Sequence, residues 1–204
     1  IAAGADILRV GMGPGSICTT RIISGMGVPQ ITAIQEAVKA VKGTKVTVVA
    51  DGGIKQIGDM AKALGMGAHA VMAGSLLAGF DESPGELLTI DGKKYKQYRG
   101  MGSVGAMKKG SAERYGQVKD TASRKLIAEG VEGFVAYRGS VGEYLGQVEG
   151  SLQSSFYYIG ARIVAEFHAK ARFVRITPAS MTESHPHSIH VSASGSNYRS
   201  NIVC

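Results

Sequence analysis

The chain has 204 residues, is 44% hydrophobic and 19% charged, and carries a formal net charge of +7, values that are ordinary for a globular protein and exclude disorder throughout. No apolar run approaches the roughly 20 residues that cross a bilayer, and two widely spaced cysteines do not make a disulfide framework, so we expect a cytoplasmic protein outside the membrane. The positive charge suits an anionic partner, but the lysines and arginines are scattered and no nucleic-acid-binding module is recognisable. A small phosphorylated ligand, or an acidic second half of a longer protein, explains the positive charge without nucleic acid.

The first part of the chain alternates between two kinds of apolar pattern. Short β-branched runs that end in glycine or Asp-Gly predict strands at 7–10, 46–50 and 69–73. Between them, residues 31–43 and 57–67 carry apolar residues at helical spacing and end in glycine, which predicts two helices. Because parallel neighbours need a crossover connection, this order predicts a parallel sheet.

A weak internal repeat supports that interpretation. Residues 3–11 and 66–74 share a small-Gly-Ala start, an apolar strand and a closing glycine, as equivalent corners of a repeating barrel or doubly wound sheet do. Three strands cannot close either architecture, and the sequence opens on Ile1 in what resembles the end of a helix. We therefore expect a piece of a larger domain.

The middle of the chain, residues 79–140, changes character, with many glycines, turn signals and lysines. We interpret it as a flap or lid over the site, because it is too long for a simple connection. Within it, residues 95–103 alternate well enough for a short strand. Residues 108–120 have no apolar periodicity and are expected to be irregular and mobile.

The last part of the chain predicts two closing helices, at 141–160 and 161–171. Residues 173–177 could form a last short strand, and residues 178–204, rich in Ser, His and Asn, are expected to be a tail that orders only against something else. One apolar stripe of the first closing helix is expected to be core, and its members are Tyr144, Leu145, Val148, Leu152, Phe156 and Ile159.

Glycines and polar residues follow each predicted strand, where ligands bind in parallel α/β folds. Glycine-rich loops present N–H groups to phosphate, although at any single corner a tight turn explains glycine equally well. Their coincidence at one rim indicates a nucleotide-phosphate site, and the spacing matches neither the dinucleotide fingerprint nor the ATPase phosphate loop. The residues are Gly13, Gly15, Ser16, Cys18, Thr20, Asp51, Gly52, Gly53, Gly74 and Ser75.

Cys18 has two interpretations. A lone cysteine is most often a small buried hydrophobic residue, but this one follows a flexible loop at a strand end, where backbone donors or Arg21 would favour a reactive thiolate. His185, His187 and His190 could suggest zinc, but no cysteine or spaced second pair accompanies them, so a solvated tail fits them better.

Six ordered motifs carry a specific resemblance: GMGPGSICTTR, ADGGI, MAGSLLAG, YRGMGS, GSAERY and AEGVEG. In this order they resemble the C-terminal half of the catalytic barrel of the IMP dehydrogenase family, bacterial type, from residue 1 into the tail. The resemblance implies an α/β fold, a (β/α)8 TIM barrel. Residues 1–204 would supply strands six to eight of one catalytic domain, its active-site flap and its C-terminal helices.

The family oxidises IMP to XMP with NAD in guanine nucleotide synthesis, and the resemblance assigns catalytic roles. Cys18 would attack C2 of the purine, hydride would leave to nicotinamide, and the thioimidate that remains would be hydrolysed. Arg114 and Tyr115 of the flap would face this intermediate, with Arg114 as the general base. Because the pKa of arginine exceeds about 12, Thr20 assisted by Glu129 is the alternative.

The resemblance also implies ligand contacts. IMP would be held by Ser16, Asp51, Gly52, Gly53, Gly74, Ser75, Tyr98, Arg99, Gly100, Met101, Gly102 and Glu129. The nicotinamide pocket would be lined by Gly11, Met12 and Gly13. A monovalent cation, usually K⁺, would be bound by Gly13, Gly15 and Cys18, together with Glu183, Ser184 and His185 of a neighbouring subunit in a homotetramer.

Two other functions compete with this one. GMP reductase shares the barrel and the cysteine loop but deaminates GMP with NADPH and lacks the hydrolytic flap, so the AERY motif argues against it. A non-catalytic purine-nucleotide-binding protein would keep the phosphate loops. It would not need Cys18, Thr20, Arg114 and Tyr115 together.

Overall fold

The fold was obtained as a computed structural model that describes residues 1–117, 126–193, 195 and 197–198. Its first sheet is parallel and contains β1 (Ile7–Val10), β2 (Thr47–Asp51) and β3 (Ala70–Met72), in the order β1-β2-β3. The register sets Val10 opposite Ala50 and Asp51 opposite Met72, so the carboxyl ends of all three strands meet at one edge. The three predicted strands and their parallel pairing are confirmed.

Helices cross between these strands, as predicted. A short α1 (Thr20–Ile23) follows the cysteine loop, α2 (Gln30–Ala40) joins β1 to β2, and α3 (Ile57–Gly65) joins β2 to β3. The apolar faces of α2 and α3 meet the sheet in a core of small and branched side chains, in which Ile34, Ala50, Ala63 and Ala68 are buried. This core packs against the carboxyl-terminal parts of the three parallel strands and so holds their ends in place.

A second, antiparallel sheet was not predicted as a whole. It contains β4 (Leu87–Ile90), β5 (Lys93–Arg99) and β6 (Glu132–Ala136), with β5 in the centre. Asp91 and Gly92 both have positive φ, 49° and 73°, which suits the two-residue turn of a hairpin. The strand predicted at 95–103 is therefore displaced, since β5 ends at Arg99.

Between β5 and β6 lie α4 (Val104–Lys108) and a 3-10 helix (Ser111–Tyr115). The prediction of irregular chain over 108–120 is wrong for the 3-10 helix, and residues 118–120 lie outside the described residues. Ser103 starts α4, because its side chain accepts a hydrogen bond from the Ala106 N–H. Gly116, in the left-handed conformation, ends the 3-10 helix.

The closing helices are α5 (Gly142–Tyr158) and α6 (Val164–Lys170), which confirms both predictions. Most of the predicted stripe packs on α3 and its neighbours, because side chains four residues apart share one helix face. Leu145 is the exception: it is 52% exposed, since one residue further along turns the side chain about 100° away. The packed members are Tyr144, Val148, Leu152, Phe156 and Ile159.

The end of the described chain departs from expectation in two ways. Residues 173–177 form no strand, and no described strand lies beside them. The predicted tail contains a helix of its own, α7 (Pro178–Glu183), which the side chain of Thr177 caps by accepting the Ser180 N–H. Proline at the first helical position also favours this start.

The architecture is thus α/β, with an open parallel sheet, crossover helices and an antiparallel excursion. The described residues include no closed barrel, so the (β/α)8 arrangement stays a prediction. None of the helices built from the described residues combines the length and the apolar character needed to cross a bilayer.

Candidate active site

The loops that follow β1 and β2 are packed onto each other through glycines. Gly52 and Gly53 have positive φ, and a Cβ at Gly52 would lie 2.9 Å from the Pro14 ring. A Cβ at Gly11 would overlap the carbonyl oxygen of Asp51. Glycine suits these positions because a side chain would be strained at a positive φ and would press on the facing loop.

The side chain of Gln30 holds the same two strand ends. Its amide nitrogen donates to the carbonyl oxygens of Val10 and Asp51, at 2.9 and 3.1 Å. One side chain from the first turn of α2 therefore fixes the points at which both loops leave the sheet. These two hydrogen bonds constrain the relative position of the loops after β1 and β2 despite their glycine content.

A cavity of about 160 Å³ lies where the three loops meet. Its fourth wall is Tyr98 of β5, whose hydroxyl oxygen would be 2.9 Å from a Cβ at Gly74. Small residues and backbone N–H groups around such a space suit a phosphate group. The predicted residues that line it are Gly15, Ser16, Asp51, Gly52, Gly53, Gly74, Ser75 and Tyr98.

One charged residue that lines this cavity, and one that forms an ion pair with a lining residue, were not predicted from the sequence. Lys55 lines the cavity and supplies a cationic side chain, as a phosphate would require. Arg9 forms an ion pair with Asp51 at 3.5 Å, and the Asp51 side chain is only 24% exposed. Both could have been found from the sequence, because Arg9 is a charge inside an apolar strand and Lys55 follows Asp-Gly-Gly at a strand end.

Cys18 is mounted on a backbone pairing rather than on a free loop. It forms an antiparallel bridge with Gly130, flanked by hydrogen bonds from Thr19 N–H to Glu129 O at 2.9 Å and from Val131 N–H to Ile17 O at 3.0 Å. The Cys18 N–H also donates to the Gly15 carbonyl at 3.1 Å, which shapes the loop.

The thiol of Cys18 is half-buried and points to the first residue of α1. Its Sγ donates to the Thr20 hydroxyl oxygen at 3.2 Å, and Thr20 is buried at 9% exposure. The alternative interpretation of Cys18 as a buried hydrophobic residue is not favoured by this position, because the side chain is neither fully buried nor packed in an apolar cluster. Two residues to which the resemblance assigns catalytic roles, Cys18 and Thr20, are thus in hydrogen-bond contact.

A second layer of backbone supports this pairing. The Glu129 N–H donates to the Gly102 carbonyl at 2.9 Å, and the Gly100 N–H donates to the Val131 carbonyl at 3.0 Å. A Cβ at Gly100 would lie 3.0 Å from the Ile17 carbonyl oxygen. The YRGMGS and AEGVEG motifs therefore meet the cysteine loop as three stacked backbone segments, and glycine permits their spacing.

The 3-10 helix places Tyr115 on this stack. The Tyr115 hydroxyl oxygen would lie 2.8 Å from a Cβ at Gly102, so ring and glycine are in contact. Burial raises the pKa of Tyr115, electrostatic interactions with Cys18 and Glu129 raise it further, and the Arg114 guanidinium opposes them. A phenol is protonated at neutral pH at its ordinary pKa, and the raised pKa keeps it so, which leaves its O–H able to donate a hydrogen bond.

Other predicted residues lie outside this cluster. Arg114 is exposed beside Tyr115, and Met101 is 54% exposed. Arg99 lines a separate cavity of about 700 Å³, on which Tyr98 also borders. Met12, predicted for the nicotinamide pocket, is 66% exposed.

The predicted cation ligands divide into two groups. In the cysteine loop the Gly15 carbonyl accepts one hydrogen bond, from Cys18, and keeps a second lone pair; Gly13 has a φ of 81° and packs on the Arg21 side chain. Backbone carbonyls of this kind suit a hard cation. The residues predicted from a neighbouring subunit, Glu183, Ser184 and His185, lie at the end of α7, and among the described residues no hydrogen bond joins them to the cysteine loop.

The zinc alternative receives no support from this geometry. Within residues 1–117, 126–193 and the three described positions beyond them, no group of three or more His, Cys, Asp or Glu side chains could hold a metal ion.

Comparisons with known proteins agree with the motifs. The family model described as IMP dehydrogenase / GMP reductase domain matches residues 1–187. Proteins named inosine-5′-monophosphate dehydrogenase from Methanocaldococcus jannaschii and from Escherichia coli K12 are each 53% identical to this chain; each alignment covers 97% of this chain, and 41% and 40% of those proteins. The chain therefore spans about two fifths of the length of these relatives.

A solved structure is similar to this chain in both fold and sequence. The crystal structure of a GMP reductase variant from Trypanosoma brucei, in complex with guanosine 5′-monophosphate, superposes with a TM-score of 0.83 at 43% identity, and the match covers 93% of this chain and 38% of that one. Because the family model matches residues 1–187 of the 204 residues of this chain, the chain belongs to the IMP dehydrogenase / GMP reductase family.

Proposed function

We propose that this chain is the part of an IMP dehydrogenase that carries the catalytic cysteine, the phosphate-binding loops and the turn that acts in hydrolysis. The observation that carries the proposal is the grouping of Cys18, Thr20, Glu129 and Tyr115 around one stack of backbone, beside a cavity lined by all three strand-end loops. The relatives named for this activity support it.

IMP would bind with its phosphate in the small cavity. Hydrogen bonds from the Ser75 and Tyr98 hydroxyls and the charge of Lys55 would hold the phosphate oxygens. Asp51, oriented by its ion pair with Arg9, would accept hydrogen bonds from the ribose hydroxyls. The purine would then extend from this cavity toward Cys18.

In the first step Cys18 attacks the purine. The thiolate adds to C2 of IMP, and the hydride on C2 leaves, so that the ring is oxidised and remains bound to sulfur as a thioimidate. Bound NAD⁺ supplies the acceptor for that hydride. The thiol proton leaves to solvent, and the Thr20 hydroxyl, 3.2 Å from Sγ, donates a hydrogen bond to the thiolate.

In the second step water replaces the cysteine. Water adds to C2, the C–S bond breaks, the thiol is reformed and XMP is released. The general base is Arg114 or Thr20 with Glu129, since an arginine needs a special environment to lose its proton. Tyr115, whose hydroxyl is protonated at neutral pH, donates a hydrogen bond to the reacting water or ring.

The remaining assignments complete this proposal. Gly11, Met12 and Gly13 would line the nicotinamide, and the carbonyls of Gly13, Gly15 and Cys18 would bind K⁺. Glu183, Ser184 and His185 would reach the cation of a neighbouring subunit in a cytoplasmic homotetramer. Arg99, Gly100, Met101 and Gly102 would border the purine.

GMP reductase is the second candidate, because the matched solved structure is a GMP reductase with GMP bound. The experiment that separates the two uses the full-length protein in two assays. IMP with NAD⁺ should produce NADH, and GMP with NADPH should produce no oxidation of the cofactor. The opposite pattern would assign the reductase, and nucleotide binding without turnover in either assay would assign a non-catalytic purine-binding protein.

A further inference from the structure

The side chain of Gln117 makes a two-way contact that none of the assignments above uses. Its amide nitrogen donates to the Ile127 carbonyl oxygen at 2.9 Å, and its amide oxygen accepts the Ile127 N–H at 2.9 Å. The two residues are ten positions apart. One side chain thus satisfies both backbone groups of Ile127, as a neighbouring strand would.

Each end of this contact leads to the candidate site. Gln117 is fixed to the 3-10 helix, because its N–H donates to the Ala112 carbonyl at 3.1 Å. Ile127 stands two residues before Glu129, whose N–H and carbonyl bond to Gly102 and Thr19. Gln117 therefore links the helix that carries Tyr115 to Thr19, the neighbour of Cys18, through hydrogen bonds and the two-residue stretch of main chain from Ile127 to Glu129.

We propose that Gln117 is a positioning residue that holds the Arg114–Tyr115 turn against the cysteine loop. Its effect on hydrolysis rests on the proposed function, whereas its effect on the placement of Tyr115 does not. Ile127 is 61% exposed, so its backbone groups turn to water when the Gln117 side chain is removed. A substitution there therefore frees the turn without leaving buried groups unpaired, and the protein keeps its fold.

The first test needs no substrate and uses the full-length protein. Iodoacetamide modification of Cys18, followed by mass spectrometry of the peptide that contains it, measures how well the turn covers the thiol. Gln117→Ala should raise the modification rate about 3- to 10-fold, the range expected when hydrogen bonds of ordinary strength no longer hold the turn closed. Tyr115→Ala sets the upper limit. Gln153→Ala, which removes a single 3.4 Å contact with Glu149 on the exposed face of α5, is the matched control and should leave the rate unchanged.

The second test separates positioning from general damage. With IMP and NAD⁺, Gln117→Ala should lower the steady-state rate about tenfold, while the initial burst of NADH and the kcat/KM for IMP stay as in the wild type, because both report steps before hydrolysis. Gln117→Glu keeps the acceptor for the Ile127 N–H and should recover part of the loss.

The outcomes distinguish a failure of the positioning role of Gln117 from a failure of the proposed function. An unchanged modification rate in Gln117→Ala overturns the positioning role, and so does an equal loss of burst and steady-state rate. If the wild type forms no NADH from IMP, the proposed function fails, and the modification rates still decide whether Gln117 holds Tyr115 in place.

Discussion

Replacement of Gly102 by alanine tests the packing at the centre of the site. A Cβ there would lie 2.8 Å from the Tyr115 hydroxyl oxygen, 2.9 Å from its Cζ and 3.0 Å from the carbonyl carbon of Glu129. Ordinary contacts of a Cβ begin near 3.4 Å, so these atoms must separate by about half an ångström. Overpacking of this kind costs about 1–3 kcal/mol.

The two neighbours differ in their freedom to move. Glu129 is held to Gly102 by its N–H, at 2.9 Å, and to Thr19 by its carbonyl, so its backbone resists displacement. The Tyr115 ring can swing away, and we expect it to leave the cysteine. Gly102→Ala should therefore slow the hydrolytic step about 10- to 100-fold, which corresponds to the upper part of that energy range, with a smaller effect on the burst of NADH.

Rapid-mixing measurements of NADH formation with IMP and NAD⁺ give both rates. Gly133→Ala is the matched control, because a Cβ there meets nothing within 4 Å. The double variant with Tyr115→Ala supplies a thermodynamic cycle: once the ring is gone, the added methyl group should have a smaller effect. If Gly102→Ala turns over like Gly133→Ala, or if its effect is undiminished without the Tyr115 ring, the contact does not position Tyr115 and the reasoning is refuted.

Three further predictions concern other parts of the molecule. Tyr98→Phe should raise the KM for IMP about tenfold with little change in kcat, because it removes a hydroxyl from the small cavity; an unchanged KM would place the phosphate elsewhere. Burial raises the pKa of Asp59, but hydrogen bonds from Lys62 and from the N–H groups of Lys55 and Gln56 outweigh burial and hold the pKa below its ordinary value. The ionised Asp59 carboxylate therefore stabilises the fold at pH values above the ordinary pKa, and this stabilisation is lost as the pH falls through the folded-state pKa. Asp59→Asn should accordingly lower the free energy of unfolding by about 1 kcal/mol at neutral pH, and denaturant titrations should show the gap closing in acid; a gap independent of pH would contradict this. Gly146→Ala, in the middle of α5 with open space around it, should stabilise the protein by about 0.5–1 kcal/mol, and a lower melting temperature would mean that another part of the protein packs on this face.

The parallel half of the fold was predictable because its signals are local. Runs such as residues 46–50 end in Asp-Gly, and the helices between them have a clear period, so strands, crossovers and the shared edge follow from the sequence. The same argument brought Ser16, Asp51 and Gly74 to one rim, where the cavity lies.

The antiparallel sheet was less predictable because it depends on distant pairing. The strand β6 finds its partner β5 more than thirty residues earlier, and its neighbour β4 turns on Asp91 and Gly92, a hairpin signal that the sequence analysis did not use. The prediction of a strand at 173–177 was wrong because it also depended on distant pairing. β-branched residues form a strand only beside a partner strand, and none of the described strands lies beside this segment.

Contacts between the flap and the cysteine loop lay beyond the sequence. The motifs name Cys18, Gly102 and Tyr115, but their approach depends on backbone hydrogen bonds among residues 17–19, 100–102 and 129–131. No periodicity encodes those bonds. The two-way contact of Gln117 with Ile127 is of the same kind, because it joins a side chain to backbone across ten residues.

The most direct test of the central claim, that Cys18 carries the purine during turnover, is mass spectrometry of the protein quenched in acid while it turns over IMP and NAD⁺. The account predicts a purine nucleotide attached to the peptide that contains Cys18, formed only when both ligands are present and absent from Cys18→Ala, which should also form no NADH. NADH production without any adduct on that peptide, or full turnover by Cys18→Ala, would contradict it.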